Sequence, residues 1–382
     1  MKTLSSKAGI DRRRAPGALF CACSVLIGLA LLILSRGADW FGEWYATHIF
    51  PVFPVIIGGA VSILPFSLLE ILIYIAAALI LVWILYFLFL VIFPKRRRMA
   101  PAALFKAARV LLFFVCAVFM IFELTCGVNY ERDSFADITG RQIKDSSKDE
   151  LRGLCELLIV DVTEILEEIE SEEEETVSPV KTGAGLKREA RDSMKRLGEG
   201  LQELAGYYPN PKPVVRSESM SKLGLTGIYS PFTVEANYNK DIPGFLKPYT
   251  MCHELAHLKG FMREDEAGFI AYLACRESPD PGFRYSGAMN ALMYALPAYR
   301  KEAAEDEYVL LIETVPEKAM LDFHMNNEYW ERFRGRGTAI ANKANDAYLK
   351  ANSQSGGVKS YGGMVGLLLA EYRADIENAL FM

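Results

Sequence analysis

Apolar positions along this chain fall first into three unbroken runs and then, past residue 123, into stripes with helical or strand spacing. Ala15 to Ser35 and Ile71 to Pro94 contain no charged residue, and Pro101 to Phe122 carries only Lys106 and Arg109, near its start. Crossing a bilayer core takes about 20 apolar residues. Each run is long enough, and the two basic side chains of the third can snorkel to the interface. The pattern predicts membrane helices over about 15–35, 69–93 and 101–123, within a membrane domain covering residues 1–123. A basic stretch precedes the first run, as in signal peptides, but no small-residue cleavage site follows, so the run is read as an anchor.

The basic clusters orient these spans. "KAGIDRRR" precedes the first and "KRRR" at 95–98 separates the second from the third, and such clusters stay in the cytoplasm. The N-terminus is therefore expected inside, the 36–68 connection outside, and everything after Glu123 outside, as a multi-pass cell-membrane protein with an extracytoplasmic C-terminal domain. Trp44 to Leu69 is apolar enough for a fourth crossing, but it contains Pro51, Pro54, Pro65 and a Gly58-Gly59 pair. A crossing there would also carry 95–98 outside. The stretch 44–68 is read as an interfacial or re-entrant hairpin on the outer face.

Residues 124–382 read as one mixed, mostly helical α+β domain. Leu151, Leu154, Leu157, Leu158, Val162 and Ile165 share one side of a helix over about 147–171, and a second amphipathic helix covers 186–205. Three prolines in "YYPNPKPVV" then stop helicity. Residues 212–240 are rich in β-branched and aromatic side chains between glycines, which predicts two or three short strands. Helices are expected again over 248–260, from about 263, and near 285–312, 317–334, 338–351 and 363–378, with "SQSGGVKSYGG" as a loop. The acidic run "EEIESEEEETVSP" is a solvated helix end by composition.

Composition narrows the function. A net charge of −5 over 382 residues argues against a nucleic-acid partner, and no glycine-rich phosphate loop occurs. Of seven cysteines, Cys21, Cys23 and Cys116 lie in the spans, while Cys126, Cys155, Cys252 and Cys275 have no paired spacing, so no disulfide framework is implied.

Candidate chemistry gathers in "YTMCHELAHLKGFMREDEAGFIAYLACRE", residues 249–277, which holds two of the four histidines. Pro248 suits a helix start and Gly260 its end. Between them His253 and His257 lie one turn apart on one face, where both imidazoles can reach one ion at about 2.0–2.1 Å. Glu254 is rotated from His253 by about 100°, beside such an ion but not bound to it, where it can take a proton from an activated water. A catalytic zinc also needs a third protein ligand. Gly260 can turn the chain so that a second helix presents Glu264, Asp265 and Glu266 in its first turn. Helical phase points Glu266 nearer than Glu264 to the core face. All three acids would also suit a helix N-terminus for ordinary electrostatic reasons. Cys252 is read as a small buried residue behind the helix. Tyr229, Tyr238, His324, Tyr348 and Tyr361 are candidate oxyanion stabilisers by residue type.

"HELAH…REDEAGFIAYL" resembles the gluzincin-type zinc peptidases, in which H-E-x-x-H is followed by a helix carrying E-x-x-A-[DN]. It is similar to the HtpX-related membrane proteases and the CAAX prenyl proteases, and to the ImmA/IrrE-type peptidases, over about 30 residues. Over nearly the whole chain, with "PFT…E", "CHELAH" and "REDEA", the sequence also resembles a family of bacterial membrane proteins of unknown function. The peptidase resemblance implies a zincin-like domain with His253, His257 and Glu264 as zinc ligands, Glu254 as general base and a peptide or protein substrate. The segment "GIYSPFTVEANYN" would be the edge strand that pairs with an extended substrate. Gly268 stands where those peptidases carry the Asp or Asn that orients a ligand histidine, a role for which Asp265 or Asn237 is the substitute.

The sequence thus reads as a membrane-anchored zinc metallopeptidase in contact with the lipid bilayer. Its rivals are an inactive zincin-fold sensor or scaffold of the cell envelope, and a zinc amidohydrolase acting on a non-peptide envelope substrate.

Overall fold

A computed structural model describes residues 15–172, 183–352, 354 and 363–380. Three helices among them are long and apolar enough to cross a membrane: α1 (Ala15–Gly37), α4 (Leu68–Ile92) and α5 (Ala100–Thr125). Most apolar side chains of α4 are exposed, an arrangement that suits hydrocarbon rather than water. Gly17 and Gly28 bring α1 close to α5, since a Cβ at either would lie 2.5 Å from the ring of Phe113 or Phe119. Small residues at such contacts allow the close backbone approach that drives helix association in lipid.

Between α1 and α4 lie α2 (Asp39–His48), a π-helical turn at Pro54–Gly58 and one turn of α3 (Gly59–Val61). This connection is amphipathic. Phe41, Tyr45 and Phe50 join the core of the globular part, while Trp40, Trp44, Val52, Val55, Ile56 and Ile63 are exposed. Tyr45 Oη donates to the Leu124 carbonyl at 2.7 Å, tying α2 to the end of α5.

The globular part is mostly helical with one small sheet. Its helices are α6 (Phe135–Thr139), α7 (Lys148–Glu172), α8 (Gly183–Gly200), α9 (Ser217–Leu223), α10 (Lys247–His257), α11 (Glu264–Arg276), α12 (Pro281–Glu302), α13 (Glu305–Ile312), α14 (Glu317–Glu331), α15 (Arg336–Ala351) and α16 (Gly363–Leu380). The strands are β1 (Lys212–Val214), β2 (Gly227–Ser230) and β3 (Glu235–Asn239), in the order β1-β3-β2. β1 runs parallel to β3, and β2 antiparallel with Gly227 opposite Tyr238 and Ser230 opposite Glu235. The apolar stripe of α7 buries Leu154, Leu158 and Val162, and α7 lies along α12. Every residue of α11 from Glu266 to Cys275 is buried, as expected of a helix enclosed by α8, α10, α12 and α16.

Several expected boundaries move. The 212–240 region holds three strands, but α9 intervenes between β1 and β2. The single helix expected over 285–312 begins at Pro281, where the Asp280 side chain accepts from Phe283 N at 3.3 Å, and breaks at Ala303 and Ala304.

The sheet and the second span are joined by a buried latch. On β3, Glu235 accepts from the free N–H groups of Leu68 (3.0 Å) and Leu69 (2.9 Å) at the start of α4, and from Lys212 Nζ on β1 at 2.8 Å. Lys212 also donates to the Val61 carbonyl at 2.5 Å. In return, Glu70 of α4 accepts from Val215 N at 2.7 Å and Arg216 N at 2.9 Å, between β1 and α9. Each carboxylate satisfies backbone donors that helix and strand ends leave unpaired.

Candidate metal centre

Helix α10 starts with Pro248 in its first turn and ends at His257. Gly260, with φ of +83°, then reverses the chain; such a φ strains any residue with a Cβ. The turn is pinned from outside. Arg132 donates to the Lys259 carbonyl at 3.0 Å and lies over the Phe261 ring at 3.9 Å, and Arg263 Nη2 donates to the Arg132 carbonyl at 2.6 Å. Helix α11 therefore begins at a fixed place, and its first residue is Glu264.

The result is a cluster of three donors. His253 Nε2 lies 3.0 Å from Glu264 Oε2, and His257 Nε2 lies 3.9 Å from the same oxygen. One donor atom from each of the three residues fits within 4.8 Å of the others. The imidazoles meet edge to face, centroids 4.9 Å apart. His257 Nδ1 lies 2.7 Å from the Phe261 carbonyl, so Nδ1 carries the proton and Nε2 presents its lone pair to the cluster. Burial pulls the His257 imidazole down to about 4, with Glu264 pulling the other way. A neutral ring is the form that binds metal.

Glu254 is buried beside this cluster, and its Oε2 has no hydrogen-bond partner. Burial pushes its carboxyl well above the usual carboxylate range, and the charge of Glu264 adds to the shift. Its neighbour is Gly227 on β2, where a Cβ would lie 2.3 Å from Glu254 Oε1. An unpaired buried carboxylate oxygen calls for an explanation, such as a bound water, an ion or a catalytic role.

Glu266 points elsewhere. Its Oε1 accepts from Phe135 N and Arg263 Nη1, both at 2.9 Å, joining α6 to α11. Glu264→Ala is therefore expected to lower zinc affinity of the full-length protein at least tenfold in metal titration. Glu266→Ala should leave that affinity within about twofold and instead cost about 1–3 kcal/mol of stability, because Phe135 N loses its acceptor. The opposite ranking of the two variants in metal affinity would assign the third ligand to Glu266.

Gly268 has a local reason. A Cβ there would lie 2.8 Å from the Tyr249 hydroxyl and 3.2 Å from Met364 Sδ, so a phenol fills the space an Asp or Asn would need. Neither Asp265, whose Oδ1 accepts from Glu266 N at 3.0 Å, nor Asn237, whose amide lies 3.4 Å from the Ile228 carbonyl, takes that role. The Phe261 carbonyl orients His257 instead. The Tyr249 hydroxyl donates to Met364 Sδ at 3.4 Å; burial raises this phenol and that of Tyr294 on α12 above the usual range, and the negative charge of Glu264 adds to both shifts. These two tyrosines escaped the sequence reading. Tyr249 was accessible to it, since residues four apart share a helix face and its ring lies 6.3 Å from that of His253.

A sequence model described as "Protein of unknown function (DUF3810)" matches residues 45–369. The chain belongs to the DUF3810 family. No curated protein and no solved structure matches it. The DUF3810 match takes in the second and third spans, the sheet and all three clustered donors.

The other candidate residues are scattered. Tyr229 is beside the cluster, its ring 6.0 Å from that of His257, with its hydroxyl donating to the Thr125 carbonyl at 2.8 Å. Tyr348 of α15 bonds Cys126 Sγ and Tyr130 Oη, at 3.5 and 3.3 Å. Tyr238 is buried on β3, and His324 lines an open groove with Pro243, Phe245, Leu321 and Met325. Tyr361 lies outside the described residues. Cys252 is buried and faces the Ala190 carbonyl of α8.

Proposed function

We infer that this DUF3810 chain is a membrane-anchored zinc metallopeptidase of gluzincin type, with its globular part outside the cytoplasm. The observation that carries the reading is the convergence of His253, His257 and Glu264 within 4.8 Å, with Glu254, whose Oε2 has no hydrogen-bond partner, buried next to them. Two imidazoles and a carboxylate form a donor set that suits zinc. When bound there, zinc supplies Lewis acidity, which polarises a carbonyl and acidifies water.

The chain's own residues do the rest. Glu254 takes a proton from the attacking water and passes it to the leaving amine; burial raises its affinity for that proton. Strand β2 stands at the edge of the sheet, and an extended peptide can add to such an edge by backbone pairing. Gly227 lets that edge approach Glu254. The orientation rests on the basic clusters at residues 7–14 and 95–98.

The test is metal content of the full-length protein purified in detergent. About one zinc per chain is expected, falling below a tenth of that in His257→Ala. Protein prepared without chelator that holds no zinc, and gains no stability when zinc is added, would overturn the assignment.

A further inference from the structure

The edge strand beside Glu254 is fastened directly to the end of a membrane helix. Thr125 is the last residue of α5. Its carbonyl accepts from the Tyr229 hydroxyl at 2.8 Å, and its own hydroxyl donates to the Pro231 carbonyl at 2.8 Å. The ring of Tyr229 lies 6.0 Å from that of His257. One tyrosine side chain thus covers the gap between the end of the third span and the candidate metal centre.

The surface around that strand is apolar. Ile228 on β2 and Phe232 just beyond it are exposed, and so are Val55, Ile56 and Ile63 in the connection before α4. That connection meets the sheet: a Cβ at Gly58 would lie 3.1 Å from the Val234 carbonyl. Trp40 and Trp44, exposed on α2, are the residue type that collects at the headgroup level. A second wall runs nearby. Thr338 of α15 donates to the Lys222 carbonyl ahead of β2, and ten residues later Tyr348 reaches Cys126 at the end of α5. Helix α15 therefore follows the same path as β2, from α9 to the membrane end of the domain.

We propose that this site acts on polypeptide segments that adjoin a membrane anchor, an inference that rests on the peptidase reading. An extended chain advances about 3.3 Å per residue, so a segment leaving the bilayer beside Thr125 reaches the two histidines within about ten residues. Anchoring in the same bilayer also raises the effective concentration of such a segment over that of a free peptide.

The experiment uses the full-length Glu254→Gln protein carrying a photo-crosslinking phenylalanine analogue at Ile228, in phosphatidylcholine vesicles. A tagged twelve-residue segment is supplied in two forms: next to a single apolar span in the same vesicles, or as a soluble peptide at equal total amount. Crosslinking to the anchored segment is expected at least tenfold above that to the soluble one. Equal yields, a crosslink to lipid alone, or no crosslink to either form would overturn the proposal. Cleavage by the unsubstituted chain is read separately. Anchored crosslinking without cleavage supports the surface assignment and removes the peptidase reading. Equal cleavage of both forms keeps that reading and overturns the preference for anchored segments.

Discussion

Glu254→Gln is expected to reduce peptide hydrolysis by about 10²- to 10⁴-fold, the usual contribution of a positioned acid–base group, while zinc content stays at that of the unsubstituted chain. Glutamine matches glutamate in volume, so the close contact with Gly227 is kept and the helix face is undisturbed. What is lost is the capacity to hold a proton between water and leaving group. The side chain is buried and is not one of the three clustered donors, so its loss should spare metal binding. Removing a buried group that resists ionisation should not lower the melting temperature either. The comparison is rate against zinc stoichiometry on the same preparations. Retained hydrolysis would show that another group takes the proton, and joint loss of zinc and rate would make Glu254 part of the cage.

Glu235→Ala should be the most damaging single change to stability, by about 3–5 kcal/mol, the scale for leaving one member of a buried ion pair alone. The Lys212 and Glu235 side chains are each only 2% exposed. Without Glu235 the ammonium keeps one carbonyl partner, Val61, and the Leu68 and Leu69 N–H groups lose their acceptor. Lys212→Met should cost less, because the carboxylate would still accept from both N–H groups. Thermal unfolding of the full-length protein in detergent ranks the two. A larger loss in Lys212→Met would place the stabilisation in the ion pair rather than in the helix cap.

Local features of this protein are legible in its sequence, and long-range ones are not. Uninterrupted apolar runs mark α1, α4 and α5, because lipid contact demands apolarity all round. The stripe from Leu151 to Ile165 marks α7, because only one of its faces is buried. The pairing of His253 and His257 on one face, with Glu254 beside it, is written in their spacing, which is fixed by one helical turn. Helical phase favoured Glu266 over Glu264 in the next helix, and geometry placed Glu264 against both histidines, since the entry angle of α11 is set by Arg132 and Arg263 rather than by its own periodicity. No period announces that Glu235 will meet Leu68, that Gly227 must stay small for Glu254, or that Tyr249 fills the space beside Gly268. Each joins residues from separate parts of the chain or depends on how two helices meet.

The latch between Glu235 and the start of α4 also has a consequence in time. Its partners are 167 residues apart in the chain. At a synthesis rate of about 5–20 residues per second, the Leu68 N–H waits roughly 8–33 s for its carboxylate to be made. Throughout that interval the Leu68 and Leu69 N–H groups at the start of α4 lack the carboxylate that accepts from them in the folded chain. The membrane helices of a nascent chain are therefore made well before β3, which arrives at a helix end already synthesised, with α10 to α16 still to follow.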